Sequence, residues 1–388
     1  MPEAVIVDAV RTPVGRAFKG SLASLRPDET LAFIIDALLE RHPQVDPTCV
    51  EDVIAGCAVP QGLQANNIAR IAVLLSSRLT ASTSGTTLTR YCASGLSAIR
   101  TAANNVKAGQ GDTYIAAGVE FVSSYNDRVE GAHPEDQNER LKGHQPGQPD
   151  AFIAMGRTAE NVAERYGVTR EDQDAYAQRS QERAVAAQRS GYFDREIVPV
   201  TLADGTVVAK DDGPRPSSTL EALADLEPAF REGGTVTAGN SCPLNDGAAA
   251  VLVMSDERAR ELGLTPRARV ITSATAGLEP EIMGVGPIYA VPKALERAGM
   301  TMADVDLVEL NEAFAAQVLP VARETGMDID KLNVHGGAIA LGHPFGMTGA
   351  RIMTTLINGL ETVDGTIGLE TMCVGGGQGE AMLIERLA

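Results

Sequence analysis

Two cysteines and a histidine stand where their neighbours could make them reactive. Cys92 lies in Arg90-Tyr91-Cys92-Ala93-Ser94-Gly95-Leu96-Ser97-Ala98, where a strand-like approach (Thr86, Thr87, Leu88) meets small residues that open a helix. A thiol at a helix N-terminus meets free backbone N–H groups and the positive end of the helix dipole, both of which favour the thiolate. The same setting suits a small buried hydrophobe, so both readings stay open at this point. His343 lies in the glycine-rich stretch Gly336 to Gly349, where backbone can approach a ligand closely. A Cys with a His is the smallest activated nucleophile, whereas a lone His in such a turn serves structure. Cys373 ends an apolar strand just before Gly375-Gly376-Gly377, whose N–H groups are free to hold an anion or a developing oxyanion. Asn311-Glu312 follows Leu307-Val308-Glu309-Leu310 and places an amide and a carboxylate at a strand's C-terminal end, where open α/β sheets take ligands. Two thiols, an imidazole, an amide and a carboxylate in such places form an acyl-transfer set.

These groups can meet only if the chain brings distant segments together, and an internal repeat supplies the means. Asp52 to Cys57 has the strand pattern of Asp306 to Asn311; Ser94-Gly95 and Thr348-Gly349 each open a helix; Ile115 to Gly118 matches Leu369 to Met372. All three matches share an offset of 254 residues, and their order and type agree. Under that offset Cys92 corresponds to Gly346, three residues from His343, so a pseudo-twofold packing of the halves would let Cys and His meet. In the second half the chain passes the glycine run and enters the strand Ala381 to Ile384. In the first half the comparable strand, Ala249 to Val253, follows only after residues 119 to 247, which read as an insertion. Helical patterns (Ala159 to Arg165, Asp172 to Arg189) alternate there with polar segments such as His133-Pro134 and Gln145 to Pro149. The expected division is 1–118 with 248–268, an inserted domain over 119–247, and 269–388.

Composition narrows the partners. The 388 residues carry 33 Lys and Arg against 51 Asp and Glu, a net charge of −18, with no Trp and only 7 Tyr and 8 Phe. A basic groove with stacking rings is excluded, so no nucleic acid is expected. The longest apolar run, Ala248 to Met254, is seven residues, short of the ~20 that cross a bilayer, and no membrane contact is expected. Met1 to Val7 enters a strand-like run without a signal-peptide pattern, so a cytoplasmic location is expected. Five scattered cysteines (49, 57, 92, 242, 373) fit neither a disulfide framework nor a zinc knuckle.

On these motifs the chain resembles the thiolases, the acetyl-CoA acyltransferases of the thiolase superfamily. The resemblance runs from Val7-Asp8-Ala9-Val10-Arg11-Thr12-Pro13 to the C-terminus. It includes Cys92-Ala93-Ser94-Gly95-Leu96, Gly239-Asn240 with Leu244-Asn245-Asp246-Gly247-Ala248-Ala249, Asn311-Glu312-Ala313-Phe314-Ala315, Gly336 to Gly349, and Met372-Cys373-Val374-Gly375-Gly376-Gly377. It implies an α/β fold: a five-layer αβαβα sandwich of two duplicated βαβαβαββ halves with an inserted loop domain. It further implies a homodimer or homotetramer, alone or with a partner subunit of a fatty-acid oxidation complex. The substrates would be CoA and acyl-CoA, with no permanently bound cofactor and no metal. By the resemblance Cys92 carries the acyl group, His343 activates it, and Cys373 is the acid/base for the second substrate. Backbone N–H groups of Cys92 and Gly375 would hold the acyl oxyanion, and His343 with a water on Asn311 the enolate. Arg215, Cys242, Met155, Phe314 and Met283 would line the CoA and acyl path.

The sequence departs from the family in places. Asn240-Ser241-Cys242-Pro243 stands where many members have Asn-Ala-Ser-Gly, which puts the CoA contact of Cys242 in question. Ala154 precedes Met155 where short-chain members carry His, so a wider acyl pocket is expected. His335 stands where Asn is frequent and reads as structural. Rival readings are a decarboxylating condensing enzyme, against which Cys373 argues, and a CoA-binding subunit without catalysis.

Overall fold

The computed structural model describes residues 2–125, 137–145 and 147–388, so His133, Pro134 and Pro146 lie outside the described residues. Nine strands follow one path: Leu307–Leu310, Ile367–Val374, Gln378–Arg386, Ala268–Gly277, Ala4–Arg11, Asn245–Ser255, Thr113–Phe121, Asp52–Gly56 and Ser84–Leu88. The path is two like sheets joined at a seam of only two pairs, Val5 with Arg269 and Ile6 with Ala268. In each half the final strand is antiparallel to its neighbours on both sides, while Asp52–Gly56 and Leu307–Leu310 run parallel to theirs. The strand Ser84–Leu88 at the first half's end has a reduced counterpart in the second, a single parallel bridge from Val308 to Leu332.

The duplication holds in element order but not at a constant offset. Asp52 pairs with Tyr114, which at 254 would place Asp306 against Gly368; instead Gly368 pairs with Leu307. One half has slipped by one residue, a change that a loop absorbs without disturbing the apolar pattern.

Alternation along the strands sorts their side chains into layers. Val53, Ala55, Ile115, Ala117, Ala250 and Leu252 point to one core with the helices Pro27–Glu40 and Ile68–Leu75. Ile54, Ala116, Val251, Met372 and Met382, from both sheets, face a second core with Ser94–Lys107 and Thr348–Val363. Val308, Leu310, Leu369 and Leu383 face a third with Pro287–Ala298 and Ala315–Thr325. Helices, sheet, two central helices, sheet and helices make the five-layer αβαβα sandwich. Because the central strands, such as Ala4–Arg11, Thr113–Phe121 and Asn245–Ser255, are buried on both faces, they read as continuous apolar runs rather than as alternation.

The stretch between the strands Thr113–Phe121 and Asn245–Ser255 contributes the helices Met155–Tyr166 and Arg170–Arg189. A buried cation ties it to the first sheet: Arg11, on the strand Ala4–Arg11, reaches Glu196 Oε1 at 2.9 Å and Asp211 Oδ1 at 2.7 Å. Removing Arg11 would leave two buried carboxylates without this cation, and losing one partner of a buried ion pair typically costs about 3–5 kcal/mol.

Candidate active site

The two central helices meet at their starts. A side chain at Gly95 would stand 2.8 Å from Ala350 N, and one at Gly349 would run into Leu96 N. Only glycines allow that approach, and it brings the segments before the two helices to one place.

Before the first helix, Tyr91 adopts a left-handed φ of 43°, a strained conformation for a bulky residue. It turns the chain sharply into Cys92, in a single tight turn (Tyr91–Ala93) that leads into Ser94–Lys107. Ser94 Oγ stabilises this elbow, accepting from Arg90 N at 2.8 Å and donating to Tyr91 O at 2.7 Å. The Cys92 thiol is half-buried and receives a backbone N–H from Gly375, in the turn after Ile367–Val374. Burial outweighs that donor and the helix start, and pushes the thiol up to about 11. The helix start that the sequence showed favours the thiolate, but burial acts against it and is the larger effect.

Before the second helix, His343 is buried and caught on three sides. Its Nε2 lies 3.3 Å from Asn311 Nδ2 and its Nδ1 2.6 Å from Thr348 Oγ1, and its backbone N–H donates to Asn245 Oδ1 at 3.0 Å. Gly342, at φ 108°, lets the chain pass Asn245, whose amide carbon would be 2.6 Å from a Cβ there. Burial, with the Arg351 guanidinium beside it, lowers His343 to about 3, so the ring is neutral at physiological pH. Asn311 Oδ1 is buried and has no partner.

Cys373 is fully buried and packs with Met283, Ala313 and Phe314 and with Ala159 and Val236. Burial raises it well above the usual thiol range, and thiolate charge at Cys92 or Cys242 would raise it further. Cys242, held by its N–H to Ala313 O at 3.0 Å, is likewise raised by burial and by Cys92. Three of the five cysteines therefore converge on one place. Phe314 stands edge-on to Phe230, ring centres 6.0 Å apart.

Other residues from the sequence reading have surroundings of their own. Met155 is exposed at the start of its helix, with Ala154 exposed just before it. Arg215 is held through its N–H on Gln181 Oε1 at 2.7 Å; its Nε is buried without a partner and Arg16 lies close. His335 stacks on Tyr192, ring centres 3.6 Å apart and planes at 10°, in keeping with a packing role. The Glu312 carboxylate is already taken up: it accepts from Tyr176 Oη, Ser180 Oγ, Asn333 Nδ2 and Ile339 N, and so clamps the inserted helix to the loop that leads to His343.

Sequence reasoning missed the groups that hold the loop. Asn245 and Thr348 hold His343 itself, and Glu120 accepts from Gly346 N at 2.9 Å and Ala58 N at 2.7 Å. Asn245 lay within a quoted motif and Thr348 at a predicted helix start, but neither position showed which N–H or ring nitrogen it would meet.

Residues 4–257 match the family described as Thiolase, N-terminal domain, and residues 264–386 the one described as Thiolase, C-terminal domain. The chain belongs to the thiolase family. Among similar proteins, "3-oxoadipyl-CoA/3-oxo-5,6-dehydrosuberyl-CoA thiolase" of Escherichia coli (strain K12) is 46% identical, and "3-ketoacyl-CoA thiolase" of Shewanella frigidimarina is 47% identical; each match covers 100% of both chains. Two solved structures have the same fold. The Bacillus anthracis acetyl-CoA acetyltransferase is 41% identical with a TM-score of 0.91, covering 100% of this chain and 99% of that one. The dimeric peroxisomal thiolase of Saccharomyces cerevisiae is 39% identical with a TM-score of 0.92, covering 100% and 98%. This thiolase is an acyltransferase that cleaves or forms CoA thioesters of 3-keto acids, with CoA and acyl-CoA as substrates rather than resident cofactors. No helix among the described residues is long and apolar enough to cross a membrane.

Proposed function

We propose that this thiolase works through an acyl group on Cys92, with the second half supplying proton transfer and enolate stabilisation. One observation supports the assignment above others: neutral His343 and the unpartnered Asn311 Oδ1 are buried side by side, across the helix-start contact from Cys92. In the cleavage direction the Cys92 proton passes to His343 Nε2 as Sγ attacks the 3-keto carbon. Its oxygen takes charge between the N–H groups of Cys92 and Gly375. The bond between C2 and C3 then breaks, its electron pair moving onto the thioester oxygen as an enolate. His343 and a water donating to Asn311 Oδ1 hold that oxygen, and the Cys373 thiol protonates C2 to release acetyl-CoA. CoA thiol, deprotonated by Cys373, attacks the acyl-Cys92 carbonyl; Cys92 is expelled as a thiolate and takes its proton back from His343 as the acyl-CoA leaves. Condensation is the same sequence reversed. Without the enolate site a Cα carbanion in water would be too basic to form.

Arg215, Cys242, Met155, Phe314 and Met283 line the CoA and acyl path in this proposal, and Ala154 leaves room for chains longer than acetoacetyl. The functional units are 1–118 with 248–268, the inserted 119–247, and 269–388. The enzyme acts as a homodimer in the cytoplasm. The exposed edge strand Ser84–Leu88, with Leu63, Leu74 and Leu75 exposed near it in sequence, supports the dimer, and five free cysteines support a reducing compartment. Intact mass after acetyl-CoA treatment tests the core of the proposal. One acetyl group per chain is expected, absent in Cys92→Ser; acetylation that persists in that variant would remove Cys92 from the role.

A further inference from the structure

Resting on His343 as the base, we infer that Thr348 is a positioning residue that fixes the tautomer of His343 and thereby makes Nε2 the proton acceptor. Thr348 Oγ1 lies 2.8 Å from Pro344 O and 2.6 Å from His343 Nδ1. A carbonyl oxygen only accepts, so the single hydroxyl proton of Thr348 goes to Pro344 O. Its oxygen is then left to accept, and Nδ1 must carry the proton that it accepts. In a neutral imidazole that leaves Nε2 as a bare lone pair.

The far side of the ring agrees. With Nε2 an acceptor, Asn311 must turn its Nδ2 toward it, 3.3 Å away, which leaves Asn311 Oδ1 free, and that oxygen is indeed unpartnered and buried. The opposite tautomer would place two acceptors, Thr348 Oγ1 and Pro344 O, at 2.8 Å with no proton between them. Burial and Arg351 keep the ring neutral, so the tautomer choice matters at working pH. When Cys92 gives up its proton, Nε2 takes it and Nδ1 keeps its own. The resulting imidazolium donates to Thr348 on one side and to the reacting oxygen on the other. The pseudo-symmetric residue Ser94 uses its hydroxyl on the turn carbonyl in the same way, but for a backbone N–H rather than for a ring.

The experiment is the spectrum of ¹⁵N-histidine-labelled enzyme at neutral pH, with the His343 signals assigned by their loss in His343→Asn. Wild type is expected to show a protonated, pyrrole-type Nδ1 and a bare, pyridine-type Nε2. Thr348→Val is expected to move the ring toward the other tautomer or a mixture, and to slow Cys92 acetylation by up to the ~10²- to 10⁴-fold a general base contributes. KM for acetyl-CoA should change little, and Thr348→Ser should restore both spectrum and rate. A bare Nδ1 in wild type overturns the inference even if Thr348→Val fails to fold, as does a Thr348→Val enzyme with unchanged tautomer and rate. Full acetylation in His343→Ala would instead sink the role of His343 as base, whatever the tautomer.

Discussion

The two halves share a strand order and a helix start, yet present their reactive groups in opposite ways. The first half brings Cys92 over a strained elbow to a half-buried position. The second half buries His343 and Cys373, fixes the imidazole by two hydrogen bonds and holds its backbone by a third. Duplication supplied the geometry, and burial then divided the work. A nucleophile must be reached, whereas a base and an enolate site gain strength from being dry and preorganised. In the proposed mechanism the thiol, raised to about 11, and the imidazole, lowered to about 3, stay uncharged until they act together.

A large effect that would break this comparison belongs to Asn311→Ala. It removes the carbonyl that holds the enolate water but leaves the first half intact, so condensation should slow by the ~10²- to 10³-fold expected for one oxyanion donor. Acetylation of Cys92, followed by mass, should proceed at close to the wild-type rate. An unchanged condensation rate would mean that something else holds the enolate.

A smaller effect sharpens the role of the insertion. Ala154→His should shift the ratio of kcat/KM for 3-ketohexanoyl-CoA over acetoacetyl-CoA downward, by about fourfold per methylene excluded, since each buried CH₂ contributes about 0.8 kcal/mol. A ratio that does not move would place the acyl chain elsewhere, away from exposed Ala154 and Met155.

The smallest effect concerns stability and the second half's interior. Glu309 and Glu370 are paired on adjacent parallel strands, both buried, with Arg351 as the nearby cation. Burial raises Glu309 to about 8 and Glu370 well above its ordinary 4.5. Between 4.5 and about 8 the folded chain binds more protons than the unfolded one, so stability falls as pH rises through that window. Glu370→Gln removes one of these groups and should raise the unfolding midpoint at pH 8.5 by about 2–4 °C, with little change at pH 5. An equal shift at both pH values would point to packing rather than protonation. His343 and His335, lowered to about 3 and about 4, act in the other direction: their contribution to stability falls as the pH drops below 6.5, opposing that of the glutamates down to 4.5.

Much of the candidate site was legible because its candidate residues sit in segments of small residues with few structural explanations. Cys92 before Ser94-Gly95, His343 among glycines and Cys373 before a glycine run were all found in that way. The strand and helix order was legible too, since an apolar run repeats well across a duplication. The one-residue slip between Asp52 with Tyr114 and Leu307 with Gly368 was not, because hydrophobicity does not record register when both faces of a strand are buried. Thr348 and Glu120 were invisible for a related reason: a hydroxyl or carboxylate acquires its role only from the group it meets, and Glu120 meets Gly346 across 226 residues. The state of the Cys92 thiol was read with the wrong sign because a helix start is visible in sequence and desolvation is not.

The division of labour is tested most directly by following two rates in Cys373→Ser: the acetylation of Cys92 by acetyl-CoA in a single turnover, and steady-state thiolysis. Acetylation uses Cys373 only to protonate a departing CoA thiolate, which leaves readily without that help, so it should fall far less than thiolysis, which should drop by ~10²- to 10⁴-fold, the span of general acid–base catalysis. Equal losses in both rates would contradict the account, because Cys373 would then belong to the step assigned here to Cys92 and His343.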